Sequence, residues 1–134
     1  MNPLTAAITY KKTLIADGAM GTALQQAGLP SKIAPEQWNL DNPTAIREIH
    51  RQFVAAGSEC VLTNTFGATR LRLANFGLAN QVGKINRNAV HLARQAADEA
   101  FVIGSIGPVG MRHSGIDTSS FATYRATYAL SLIH

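Results

Sequence analysis

Three short apolar runs, each closed by a polar or glycine-containing turn and separated by helix-length stretches, constrain this chain most. They are Thr13-Leu14-Ile15-Ala16-Asp17, Glu59-Cys60-Val61-Leu62-Thr63-Asn64-Thr65 and Phe101-Val102-Ile103-Gly104-Ser105-Ile106. Runs of this length bounded by glycines read as buried strands more readily than as helices. The second is nearly continuous in its apolar character, which fits a strand covered on both faces, as in a parallel sheet. Helix-length crossovers rule out simple hairpins and give parallel, right-handed βαβ units. The sequence therefore predicts an α/β fold with parallel strands near residues 13–17, 58–64 and 101–106.

The intervening stretches carry helix signals of different strength. Asn42-Pro43 opens the clearest one. An Asn cap accepts a first-turn N–H, and proline at the first helical position gives up an N–H that would have had no partner. Ile46, Ile49 and Phe53 then recur on one face, and Gly57 closes the helix. A brief helix is expected over residues 22–28, a short one over 69–76, and a long one over 79–99. In the long one Val82, Ile85, Ala89, Leu92 and Ala96 fall at helical spacing. From Thr118 onward Phe121, Tyr124, Tyr128 and Leu132 share a face, and the two tyrosines read as core residues. Residues 29–40, with Pro30, Pro35, Trp38 and Asn39, read as an irregular loop, Trp38 and Asn39 packing it down.

Composition narrows the function classes. Among 134 residues, 46% are hydrophobic and 15% charged, which excludes a disordered tail. The net charge of +4 is scattered along the chain, Lys12 and Arg112 included, and not gathered into a basic face with stacking aromatics. Nucleic acid is accordingly not an expected partner. Membrane is not expected either, because no apolar run approaches the ~20 residues of a span. Cys60 is the only cysteine, so an internal disulfide is excluded, and a cytoplasmic setting is the default expectation. His50 and His91 sit among charged helix residues and read as surface histidines. With His113 and His134 they show no metal-ligand spacing.

Four polar clusters fall where strands should open into loops. They are Asp17-Gly18-Ala19-Met20-Gly21-Thr22, Trp38-Asn39, Thr63-Asn64-Thr65-Phe66-Gly67-Ala68 with Arg70, and Ser105-Ile106-Gly107-Pro108. In parallel α/β folds the strand C-termini are where ligands bind. Taken alone, Asp17 is a turn-capping carboxylate, the glycine turn is a tight turn or an anion site, and Asn64 and Thr65 either line a pocket or satisfy loop backbone. Arg70 reads as a surface arginine at a helix start. In order, spacing and intervening text, including Ile49-His50 through Thr63-Asn64-Thr65-Phe66-Gly67-Ala68 and Ile85-Asn86-x-x-Ala89-Val90-x-Leu92-Ala93-Arg94, the chain resembles the homocysteine S-methyltransferase family. The likeness is strongest to the homocysteine-binding module of cobalamin-dependent methionine synthases, and runs from about Thr13 to the end.

The resemblance implies a partial (β/α)8 TIM barrel, the first three βα units of a domain that would continue past residue 134. In that family homocysteine binds at the strand C-termini, and three cysteine thiolates from later strands hold zinc, to which the substrate sulfur adds. The methyl comes from a corrinoid (cobalamin), betaine or a sulfonium donor, so a corrinoid-carrying domain is an implied partner. Carried onto this chain, the resemblance gives Asp17 to the substrate ammonium, the backbone of Gly18, Ala19, Met20 and Gly21 to its carboxylate, and Asn64 and Thr65 to positioning. The departure is the metal: Cys60 matches none of the family's ligand positions, so the chain alone is expected to bind no structural zinc and to transfer no methyl group. Uncovered sheet edges also lead us to expect aggregation, self-association or partial melting of the isolated chain. Two rivals stay open, a non-catalytic fragment or interaction module, and a zinc-independent barrel enzyme for an anionic substrate.

Overall fold

The computed structural model describes residues 1–11, 13–109 and 118–132. Lys12, Arg112, His113 and His134 lie outside the described residues. Among those described, the regular elements are seven α-helices, two strands and two 3-10 turns. The helices are α1 (Pro3–Lys11), α2 (Met20–Gln26), α3 (Trp38–Asp41), α4 (Pro43–Ala55), α5 (Arg70–Ala74), α6 (Val82–Ala97) and α7 (Thr118–Leu132). The strands are β1 (Cys60–Leu62) and β2 (Phe101–Ile103). They pair in parallel, Cys60 with Phe101, Val61 with Val102 and Leu62 with Ile103.

The first expected strand is reduced to a single parallel bridge, Ala16 to Cys60, on the free edge of β1. Its backbone still keeps parallel register: Cys60 N donates to Ile15 O at 3.0 Å and Asp17 N to Cys60 O at 2.9 Å. The spatial order is thus residues 15–17, β1, β2, which puts Asp17 beside the C-terminal end of β1. The other two strands are also shorter than their apolar runs. After Leu62 and Ile103 the chain turns its polar groups to loop-to-loop bonds, and the parallel pairing ends with them.

Helix α4 starts as its cap predicts, the Asn42 side chain accepting from Ala45 N at 3.3 Å. It ends in a turn at Gly57, whose φ of +103° suits glycine. Ile46 and Ile49 are buried against Leu24, Trp38 and Leu92, fastening α4 to α2, α3 and α6. A second cluster gathers Ala34, Ala68, Leu73, Leu78, Val82 and Ile85 around the start of α6. A third packs Val61 of β1 on Ala93 and Ala97. Burying a side chain the size of Ile85 contributes about 1.5–3 kcal/mol, so α6, which reaches all three clusters, is the principal support of the sheet.

Two expectations are corrected. Residues 29–40 are not irregular: Pro35–Gln37 form a 3-10 turn that runs into α3, and Trp38 and Asn39 are buried there. His50 is fully buried rather than on the surface. It occupies the vacant place on the Ile46, Ile49, Phe53 stripe, which needs residues at i, i+3, i+4 and i+7, while Arg51 and Glu48 face outward. His91 does lie exposed, against Gln95 at 2.8 Å. On α7, Phe121 is 65% exposed. Tyr124 and Tyr128 are half-buried, and the Tyr128 hydroxyl donates to Gly107 O at 3.2 Å. The side chain of Leu132 falls outside the described residues. Finally, the short helix α1, for which no signal was read, is tied by its last residue, Lys11, to Glu59. Glu59 also accepts from Ile15 N at 3.1 Å, and the Lys11 bond, with that of Ile15, holds its carboxyl below the usual range.

Candidate functional site

A cleft of about 330 Å³ opens at the C-terminal ends of the parallel segments. Asp17, Gly18, Met20 and Gly21 come to it from the first turn, Pro35 and Glu36 from the 3-10 turn. Leu62, Thr63, Asn64, Phe66 and Gly67 come from the end of β1 and its loop, Arg72 and Phe76 from α5 and just beyond it, and Ser105 from the loop after β2. Of the residues singled out in the sequence, Asp17, Gly18, Met20, Gly21 and Asn64 line the cleft, whereas Ala19 and Thr65 do not. Arg70 is exposed and outside it.

Asp17 is fixed by the strand that it neighbours. Leu62 N donates to its Oδ2 at 3.0 Å. Burial raises its pKa above the ordinary carboxylate value, and the bond from Leu62 N works against that rise. The carboxylate is thus held in place, partly desolvated, on the wall of the cleft.

The loop after β1 is shaped by an amide network. Asn64 Nδ2 donates to Asn39 Oδ1 and to Pro35 O, both at 2.9 Å. Asn39 Nδ2 returns a bond to Asn64 O at 2.8 Å, and Asn88 Nδ2 donates to Asn39 O at 3.1 Å. Asn64 therefore joins the cleft wall to the 3-10 turn, with its amide nitrogen committed internally. Thr65 Oγ1 donates to Ser105 O at 2.7 Å and meets Thr63 Oγ1 at 2.7 Å, while Ser105 N donates to Thr63 Oγ1 at 3.1 Å. This threonine pair ties the loops of β1 and β2 together. Replacing Asn39 by Ala should strand the buried Asn64 groups and cost about 2–3 kcal/mol of stability, read as a lowered urea midpoint. An unchanged midpoint would show the network to be dispensable.

Sequence reasoning missed Glu36, Arg72 and Phe76. Glu36 is only 6% exposed and accepts from Gly67 N at 2.6 Å. The signal available was an acidic residue set between Pro35 and Trp38, where a helix-starting turn buries its neighbours. Arg72 lies with its guanidinium 6.0 Å from the Phe66 ring centre and its Nη1 3.5 Å from Pro108 O.

The residues of this chain do not fit a zinc-thiolate centre. Cys60 is buried, and its thiol pKa is raised by burial and by the nearby Glu59 and Asp17 charges, which disfavours the thiolate that a metal needs. Among the described residues no three His, Cys, Asp or Glu side chains are grouped to hold a metal ion. Among them, too, no helix is long and apolar enough to cross a membrane.

A parallel βα frame with a ligand-sized cleft at its strand ends is what the family likeness calls for, and the comparisons bear on it directly. The family model for homocysteine S-methyltransferase matches residues 14–132. The chain belongs to the homocysteine S-methyltransferase family. It is 34% identical to the homocysteine S-methyltransferase of Escherichia coli over 124 residues, covering 81% of this chain and 39% of that protein. It is 30% identical to the methionine synthase of Mycobacterium tuberculosis over 134 residues, covering 90% of this chain and 11% of that protein. Among solved structures, the homocysteine methyltransferase MmuM from Escherichia coli in its metallated form superposes with a TM-score of 0.82 at 28% identity, covering 98% of this chain and 52% of that one. The chain thus spans about half or less of the relatives that it matches. The α/β architecture with its parallel pair is shared with MmuM.

Proposed function

We propose that this chain is the N-terminal portion of a homocysteine-binding (β/α)8 barrel, contributing its first three βα units, and that its cleft grips the amino-acid end of homocysteine in a methyl transfer that yields methionine. The observation that carries this reading is Asp17: a carboxylate anchored by the Leu62 amide, on the wall of a cleft at the strand C-termini. Asp17 binds the substrate ammonium. The backbone of residues 18–21 faces the carboxylate, and Asn64 and Thr65 act at one remove by holding the loop that forms the opposite contact surface. The relatives' names, methionine synthase and homocysteine S-methyltransferase, support the substrate and the reaction class.

The methyl acceptor in such a reaction is the substrate sulfur. A free thiol with a pKa near 8.5 is mostly protonated at neutral pH and a poor nucleophile. In zinc enzymes of this kind the metal, when bound, lowers that pKa. This chain lacks the donor set, so the part left to its own residues is to bind and orient the amino acid and to keep the sulfur end free. The methyl donor, whether a sulfonium, betaine or a corrinoid on a partner domain, approaches over the rim at Phe66 and Phe76, both exposed.

Calorimetry of the chain with L-homocysteine, with and without a chelator, combined with an assay for methionine, tests this reading. Binding that ignores the chelator and no methionine formed is the expected result. Absence of binding, or turnover by the chain alone, would overturn it.

A further inference from the structure

The basic residues are dispersed along the sequence, but α6 collects several of them on one face. Lys84, Arg87, His91 and Arg94 recur at intervals of three, four and three residues, and all are exposed, while the other side of the helix is buried. From α4, Arg47 Nη1 donates to Gln95 Oε1 at 3.0 Å, which brings a further guanidinium beside the stripe. Helix α6 contains no acidic residue, and α4 contains only Glu48, which accepts from Gln52. Asp98 and Glu99 lie past the end of α6 and line a separate hollow with Glu59. A solvated helix gains from mixed signs, because opposite charges three or four residues apart stabilise it and like charges do not. Lys84 also sits in the first turn, where the helix dipole disfavours a cation. Among the described residues neither Lys84 nor Arg94 has an ion-pair partner. The stripe thus weakens the helix that supports the sheet, and an anionic partner would offset that.

We propose that the outward face of α6 is a docking surface for an acidic helix of another protein, laid along this stripe. At ~1.5 Å per residue, Lys84 to Arg94 covers about 15 Å of helix axis. A partner helix with carboxylates at the same three- and four-residue intervals has the same rise, so its charges meet the basic side chains in register. Such complementarity sets the rate and the specificity of encounter. The face suits other polyanions less well. Single strands of nucleic acid stack on aromatic side chains, and a helix lying on a membrane inserts apolar ones. Among the described residues, no exposed large apolar side chain lies on α4 or α6. The surface is also separate from the cleft, which none of these basic residues lines.

The test is fluorescence anisotropy of the full chain with a labelled helical peptide of glutamate and alanine, its glutamates set at alternating three- and four-residue intervals. A second peptide of the same composition has them scrambled around the helix. The ordered peptide should bind more tightly than the scrambled one, and added salt should weaken it. The double variant Lys84→Gln, Arg94→Gln should bind it about fivefold more weakly, since exposed ion pairs are individually small. Equal affinity for both peptides, an unchanged affinity in the variant, or no binding of the ordered peptide would overturn the proposal. Tighter binding of a thymidine oligonucleotide or of phosphatidylserine vesicles would overturn it too, and assign the stripe to those anions. Should the double variant fail to fold, amide resonances of the unmutated chain decide. Those of Lys84, Arg87, His91 and Arg94 should move as the ordered peptide is added, while those of the Asp17 turn stay still. Movement confined to other elements contradicts the proposal.

Discussion

Replacing Asp17 by Asn should weaken homocysteine binding roughly ten- to a hundredfold while leaving the melting transition close to that of the unmutated chain. Asparagine is nearly isosteric, and its Oδ1 still accepts from Leu62 N, so the wall of the cleft is preserved. What is lost is a charge-assisted bond to an ammonium, worth ~1.5–3 kcal/mol. The pH dependence has the same origin, the charge on Asp17. Burial raises the Asp17 pKa above 3.8, so on acidification the carboxylate is neutralised earlier than an exposed aspartate. Homocysteine affinity should accordingly fall with decreasing pH beginning above that ordinary value, and the Asn variant should show no such fall. Calorimetric titrations across the acid range measure both effects. An Asn variant that binds as tightly as the unmutated chain would remove Asp17 from the site.

The second large effect concerns stability. His50 is fully buried, and neither ring nitrogen has a hydrogen-bond partner among the described residues. Burial pushes its pKa down from 6.5 to about 4. The imidazole is therefore neutral in the folded chain where an unfolded chain would already hold a proton. As pH falls below 6.5 the unfolded state takes up a proton that the folded state refuses, and stability drops until the folded-state value near 4 is reached. Each pH unit in that window is worth ~1.4 kcal/mol, giving a loss on the order of 3 kcal/mol. Urea unfolding near neutral pH and near pH 4 should show it, and His50→Leu should abolish most of the difference. Leucine also removes two unpaired polar atoms from an apolar site, so the variant should be at least as stable at neutral pH. An unchanged acid sensitivity in His50→Leu would mean that His50 reaches water or a partner.

Much of the fold was legible because local chemistry and tertiary packing agree. Asn42-Pro43 begins a helix in the sequence and in the structure, and the apolar face of α6 is the one that packs on β1. Legibility failed where tertiary context decides. Ile15 and Ala16 have the composition of a strand, yet one bridge is all that forms, because the free edge of residues 13–17 has nothing described beside it to pair with. Pro30 and Pro35 suggested a broken loop, but proline at the start of a turn favours the 3-10 segment that buries Glu36, Trp38 and Asn39. His50 looked solvated because its sequence neighbours are charged, whereas helical spacing, not adjacency, sets its surroundings.

The site divides in the same way. The turn at Asp17 and the Asn64 loop could be read from residue type at strand ends. The partners of Asn64, and the presence of Glu36 and Arg72 in the same cleft, depend on contacts across 25 or more positions of sequence, such as the bond between Gly67 and Glu36 or that between Arg72 and Pro108. No local pattern encodes those meetings.

The central claim is a place: the amino-acid end of homocysteine rests between the Asp17 turn and the Asn64 loop. A crystal structure of the chain soaked with L-homocysteine measures it most directly. The account predicts the ammonium within hydrogen-bond distance of the Asp17 carboxylate. Homocysteine bound elsewhere on the chain, away from both elements, would contradict it.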